Sequence, residues 1–201
     1  QFYYDGMGFN LSFLVKKDGV VLFKVSAPWK PTLRAWTHLA VVRDGSSMYL
    51  FIDGKKVTSQ ILPDAVSLPD LPDPLSMGAL GTSSYFKGLM EEVRISKGVA
   101  RWASDFSPST THYSSDNQTA LLIHRVGSSL DFVDESENHN SLTFAGDARG
   151  DFSQYKILDS QKSGVKFRES SPISFDGQGD YLWAADSDDW NMGSQDFTMD
   201  F

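Results

Sequence analysis

Three Asp-Gly pairs, Asp18-Gly19, Asp44-Gly45 and Asp53-Gly54, punctuate a run of short apolar alternations and constrain this chain more than any other feature. Two-residue hairpin turns need a positive φ at their central positions, so Asp-Gly between alternating segments is a strong local hairpin signal. The segments it separates, Leu11 to Val15, Val20 to Val25, Trp36 to Arg43 and Met48 to Ile52, each read as strands of an antiparallel meander. In Trp36–Arg43 one face carries Trp36, His38, Ala40 and Val42 and the other Thr37, Leu39, Val41 and Arg43. Apolar groups on both faces place such a strand inside a two-layer sandwich.

The stretch from Leu62 to Pro74 holds four prolines and three aspartates, which denies it ladder donors and makes it a surface loop or crossover. Strands follow at Leu75 to Ala79 and Phe86 to Ser96, and the best helical candidate is a single turn around Val99-Ala100-Arg101-Trp102. Residues 103 to 119, rich in Ser, Thr, Asp and Pro, read as a linker or outer loop, and the composition shift near residue 115 is a candidate module boundary. Further strands are expected at Ala120 to His124, Ser141 to Phe144, Val165 to Phe167 and Ile173 to Phe175. The fold class this predicts is all-β, a two-layer antiparallel jelly-roll sandwich.

Composition bounds the function. A chain of 201 residues, 40% hydrophobic, can bury a sizeable core, and without cysteine it does so without disulfides or thiolate metal sites. The net charge of −8 and the lack of any basic run interleaved with aromatics argue against a nucleic-acid partner. No stretch approaches the length of a membrane span. Gln1 stands where an initiator methionine would, and Phe197-Thr198-Met199-Asp200-Phe201 reads as a strand in progress, so both ends are expected to be cuts from a longer protein.

Several segments resemble the laminin-G-like jelly-roll family of the concanavalin A-like lectin/glucanase superfamily, as found in tandem copies in bacterial and phage surface proteins. They are Trp36 to Gly45, Leu50-Phe51-Ile52-Asp53-Gly54-Lys55, Tyr85 to Ser96 and Gly98-Val99-Ala100-Arg101-Trp102, which in the family lie in the middle and at the end of a domain. By contrast, Ile173 to Leu182 followed by Asp196 to Phe201 looks like the beginning of one. The resemblance therefore implies the order end-then-beginning. Residues 1–115 would be the middle and C-terminal portion of a jelly roll and 116–172 a connector with strands; 173–201 would be N-terminal strands that complete 1–115 or start the next copy.

What the resemblance implies for function is a non-catalytic binding or adhesion module that recognises a glycan or surface receptor, within a larger repetitive extracellular, cell-surface or virion protein. The alternative is a purely structural virion or filament repeat that packs against neighbouring copies or exchanges strands with them. A glycoside hydrolase is the distant third reading. It needs paired carboxylates, and the acidic strings Glu91-Glu92 and Asp134-Glu135-Ser136-Glu137 do not alternate on one strand face as the superfamily's Glu-x-Asp-x-Glu does.

Candidate site residues follow from the same reading. Trp29, Tyr85, Trp183 and Trp190 lie in or beside predicted loops, where aromatic rings can stack on pyranose CH faces; Trp36 and Trp102 are assigned to the core. The family's calcium, where present, ties the start of the domain to its closing strand, which implies Asp176 and Asp180 with Glu92 as Ca2+ ligands. Asp186-Ser187-Asp188-Asp189 reads as an exposed acidic turn and is a secondary calcium candidate. His38 is expected to be a hydrogen-bonded sheet residue, and His112, His124 and His139 form no metal spacing in sequence.

Overall fold

The computed structural model describes residues 1–63, 66–81, 84–124, 132–150 and 172–201. The expected strand around Val165 to Phe167 lies outside the described residues. Among the described residues there is no α-helix, and the strands pair antiparallel throughout. No helix here is long and apolar enough to cross a membrane.

The hairpins form where Asp-Gly requires them. β2 (Asn10–Lys17) and β3 (Val20–Pro28) turn through Asp18 and Gly19 at φ 51° and 79°. β5 (Ser47–Ile52) and β6 (Lys55–Ile61) turn through Asp53 and Gly54 at φ 49° and 72°. Positive φ at both central positions is the turn whose twist matches that of the flanking strands. The middle pair is offset by one residue. Asp44 ends β4 (Leu39–Asp44) opposite Ser47, so Gly45 and Ser46 make that turn.

One layer of the sandwich is a seven-stranded sheet. Its remaining members are β11 (Val93–Lys97), β12 (Thr119–His124), β13 (Val133–Asp134) and β18 (Phe197–Asp200), and its order is β13-β12-β11-β18-β4-β5-β6. The facing layer is built from three smaller sheets. β1 (Phe2–Asp5) joins β2 and β3; β10 (Lys87–Met90), β16 (Ile173–Asp176) and β15 (Arg149–Gly150) form a second; β14 (Leu142–Ala145), β17 (Tyr181–Ala184) and β7 (Leu75–Met77) form a third. A short hairpin, β8 (Ala79–Leu80) with β9 (Ser84–Tyr85), completes the strands.

Strand alternation explains which side chains meet between the layers. Leu39 and Val41 of β4, Met48 and Leu50 of β5, Val93 and Ile95 of β11, and Phe197 of β18 point inward. There they join Leu11, Phe13, Phe23 and Val25 from the facing layer, with Ile173, Phe175 and Leu182, in one buried core. The C-terminal strands enter the seven-stranded sheet and two of the three smaller sheets. β18 lies between β11 and β4, with Ile95 opposite Met199 and Val41 opposite Met199 on its other side. β16 pairs with β10 and β17 with β7.

The opposite side of the seven-stranded sheet is also covered. Residues 98–118, which hold no strand, cross it and lay Trp102 and Phe106 over Ala40, Val42 and Phe51. Phe106 N–H donates to the carbonyl of Gly54 at 2.9 Å, an approach so close that any side chain at position 54 would collide with the Phe106 carbonyl. A second covering is thus built from the segment whose composition reads as a linker.

Four local expectations are corrected. Trp36 is 48% exposed, because the strand begins only at Leu39 and the residues before it turn outward with the Trp29–Trp36 segment. Trp102 is half-buried and belongs to the outer cluster, stacked on Phe106 at 3.8 Å between centroids. Residues 99–102 form no helical turn; the single 3₁₀ turn described is Asp188–Trp190, capped by the Ser187 hydroxyl, which accepts from Asp189 N–H at 3.2 Å. The expected strand from Phe86 to Ser96 is also split in two at Glu91-Glu92, where Glu92 adopts φ 58°.

Candidate functional site

Among the described residues, two groups of side chains have the composition of ligand sites, and they lie on different faces. The first gathers Asp147, Asp176 and Asp180, each offering a carboxylate oxygen within 4.8 Å of the others. It is assembled by the turn after β14, by the end of β16 and by the start of β17. Asp180 is the buried member, at 1% exposure. Its Oδ1 accepts from Asp147 N–H at 2.8 Å and its Oδ2 from Asp176 N–H at 2.7 Å, so one carboxylate ties two turns together. Burial raises its carboxyl, but these backbone N–H groups favour the ionised form and hold it below the ordinary aspartate value. Gly146, at φ 72°, lets the loop pass this close; a Cβ there would lie 2.4 Å from Asp180 Oδ1.

Hard carboxylate oxygens grouped around turns suit calcium, which takes carboxylates and carbonyls in flexible geometry. Asp147, Asp176 and Asp180 fit that ion, with Asp147 and Asp176 on the exposed side and Asp180 anchoring from beneath. Glu92 does not join them, and its assignment to this set is corrected. Its carboxylate binds instead to the segment crossing the other face, accepting from Tyr113 N–H at 2.8 Å and meeting His112 Nδ1.

Beside the aspartates, β17 presents an outer face. Leu182 and Ala184 point into the core, so Tyr181 and Trp183 point away from it. Trp183 sits opposite Thr143 of β14 and Ser76 of β7, small polar neighbours on both flanks. Trp183 is half-buried yet absent from the set that packs on the core.

The other proposed aromatics are placed differently. Trp190 packs against the core and donates its indole N–H to the carbonyl of Ala185 at 3.0 Å. Trp29 also packs on the core, meets Tyr4 edge-on at 5.4 Å, and lines a 150 Å³ pocket with Trp36, Leu89, Met90 and Phe201. Tyr85 is half-buried in the β8–β9 hairpin. The structure does not draw the four into one binding surface.

The second group lies on the outer face of the seven-stranded sheet. Glu92, His112 and His124 each offer a ligand atom within 4.8 Å of the others. The rings of His112 and His124 stack at 5.1 Å between centroids, and His124 Nε2 lies 3.1 Å from Glu135 Oε2. A polar chain continues from here. The Tyr113 ring lies 3.7 Å from the Arg94 guanidinium, its hydroxyl meets His38 Nε2 at 3.1 Å, and His38 Nε2 lies 3.5 Å from Asp200. Burial and the nearby Asp200 charge push the Tyr113 phenol well above its ordinary value, so it stays protonated. His38 is hydrogen-bonded as expected, but it stands one residue before β4 and not within the sheet. His112 and His124 were missed, because they stand twelve positions apart, one in the crossing segment and one in β12, and no spacing rule links them.

Next to Tyr113 an open 460 Å³ cleft is lined by Arg94, Arg101, Trp102 and Ser109. Both guanidiniums are already engaged, Arg94 by Asp200 and Arg101 by Asp116. Of the acidic strings, Asp134 is a buried staple that accepts from Leu122, Ser136 and Asn140 backbone N–H groups, and Glu135 faces His124.

A laminin-G family model, described as Concanavalin A-like lectin/glucanases superfamily, matches residues 1–104. No curated protein and no solved structure matches the chain. The matched residues contain β1 to β11, that is, the Asp-Gly hairpins, most of the seven-stranded sheet and Glu92. With its antiparallel two-layer sandwich and this match over half its length, the chain belongs to the concanavalin A-like lectin/glucanases superfamily as a laminin-G-type jelly roll.

Proposed function

We propose that the chain is a non-catalytic, calcium-assisted glycan-binding module, in which Trp183 receives the sugar on the outer face of β17 and Asp147, Asp176 and Asp180 hold the ion. The observation that carries this reading is the register of β17. It places an indole between two small polar residues, three positions from a buried aspartate that organises two exposed ones. A pyranose stacks its CH face on such a ring, while carboxylates and a bound cation take its hydroxyls. The remaining aromatics named from sequence, Trp29, Tyr85 and Trp190, support the fold's rim in this reading.

Laminin-G-type domains typically work outside cells, and the proposed context is a larger repetitive extracellular, cell-surface or virion protein. Residues 173–201 complete the sandwich begun by 1–115 in this proposal, with the intervening residues as connector. A glycan array probed with and without a calcium chelator tests the function. Saturable binding that is lost on chelation and in Trp183→Ala supports it; no binding to any sugar in the presence of calcium overturns it.

A second reading is a structural repeat that closes by strand exchange, in which a neighbouring copy would supply the strand that β18 provides between β11 and β4 of its own chain. If β18 pairs between copies, the protein runs as a dimer or larger species in size-exclusion chromatography; a monomer argues for closure within one chain.

A further inference from the structure

The geometry points to a zinc-type metal site on the outer face of the seven-stranded sheet, formed by Glu92, His112 and His124 and distinct from the aspartate group. Two imidazoles and a carboxylate are the donor set of a divalent transition metal rather than of calcium, which prefers oxygen alone.

The decisive atom is His124 Nδ1. The side chain of His124 is only 4% exposed, and its Nδ1 is buried with no hydrogen-bond partner. The opposite nitrogen, Nε2, lies 3.1 Å from Glu135 Oε2, so it donates its proton there. Nδ1 then carries a lone pair and faces Glu92 Oε2 at 3.8 Å. A lone pair and a carboxylate oxygen repel each other unless a cation lies between them, and 3.8 Å is too long for a direct hydrogen bond. A carboxylate holding the far nitrogen of a histidine is also the usual support behind a metal-bound imidazole, since it fixes the tautomer and makes the ligand more basic.

His112 supplies the third ligand from the crossing segment. Its side chain is 32% exposed, which gives an ion a path from solvent, whereas Glu92 at 7% and His124 at 4% form the floor. Glu92 holds its carboxylate here by adopting φ 58°, a conformation that costs a non-glycine residue energy and is retained mainly where the surroundings demand it. Three protein ligands leave a further position for water. An ion here would clamp residues 98–118 onto the end of β12.

The test is zinc binding by the full chain after exhaustive treatment with a chelator, followed by titration calorimetry and by the visible absorption of bound Co2+. The expected result is a single high-affinity ion with a tetrahedral Co2+ spectrum. It should be lost in His112→Ala and His124→Gln, weakened about 10–100-fold in Glu135→Gln, and unchanged in Asp180→Asn. Absence of zinc binding by the wild-type chain overturns the proposal, as does binding that survives His112→Ala. Because His124 is buried and its variant can misfold, the more exposed His112, checked by circular dichroism, decides the outcome. Failure of glycan or calcium binding leaves this result untouched, since no residue is shared.

Discussion

Arg94 and Asp200 face each other across β11 and β18 in a fork of two 3.0 Å hydrogen bonds, with the aspartate fully buried and the arginine nearly so. The residues are 106 positions apart, so the pair fastens the late strand to the early sheet. Removing one partner of a buried ion pair leaves the other charge without compensation, which costs about 3–5 kcal/mol. Asp200→Ala should therefore lower the urea unfolding free energy by about that amount. The double variant Arg94→Met with Asp200→Leu should lose less than Asp200→Ala alone, and equal losses would show that the pair is not the source.

Deleting residues 197–201 should do more than remove a strand. β11 and β4 would each be left with an unpaired edge in the middle of a sheet, and Phe13 would lose its contact with Phe197, whose ring lies 5.7 Å away. The shortened chain is expected to aggregate in size-exclusion chromatography. Phe197→Ala, which keeps the backbone pairing, should remain soluble and lose about 3–5 kcal/mol by chemical denaturation.

The Asp180 staple predicts a pH dependence of definite sign. Its carboxyl is held below the ordinary value in the folded chain, so it stabilises the fold above the unfolded value of about 3.9. That contribution is lost as the pH falls through the lower folded value. Asp180→Asn should melt at a lower temperature than wild type near neutral pH, and the gap should close on acidification towards about pH 2. Gly146→Ala forces positive φ on a residue with a Cβ, at about 1–2 kcal/mol, and drives that Cβ into Asp180 Oδ1. It should show the same melting deficit together with loss of calcium-induced stabilisation.

Trp183 and Trp190 should separate cleanly in a paired experiment. Trp190→Phe removes an indole N–H that satisfies the Ala185 carbonyl and should lower stability by about 1 kcal/mol with sugar affinity retained. Trp183→Ala should do the reverse. Intrinsic fluorescence quenching by a bound sugar, measured in both variants, distinguishes them.

Much of the architecture was legible because it is written locally. Asp18-Gly19 and Asp53-Gly54 set two hairpins directly, and the two-faced apolar pattern of residues 39–43 placed β4 inside a sandwich. The offset of the Asp44-Gly45 turn was invisible because it depends on where Ser47 pairs. Trp36 misled for a related reason. Its alternation with His38 continues a strand pattern, but the ladder starts at Leu39 and leaves the indole 48% exposed. Of the candidate sites, Asp176 and Asp180 were visible as a glycine-flanked turn, whereas Asp147, His112 and His124 were not. Each of those three reaches its partners only through strand pairing, β11 with β12 for the histidines and β14 with β17 for Asp147, and local chemistry carries no record of that pairing.

The position of β18 also bears on how the protein is made. A ribosome releases β4 long before the residues that will lie beside it, so the two central strands of the larger sheet wait for their shared neighbour until residue 200 has emerged. Closing that interval is an entropic task set by sequence separation, and it makes the docking of β18 between β4 and β11 the natural bottleneck of folding.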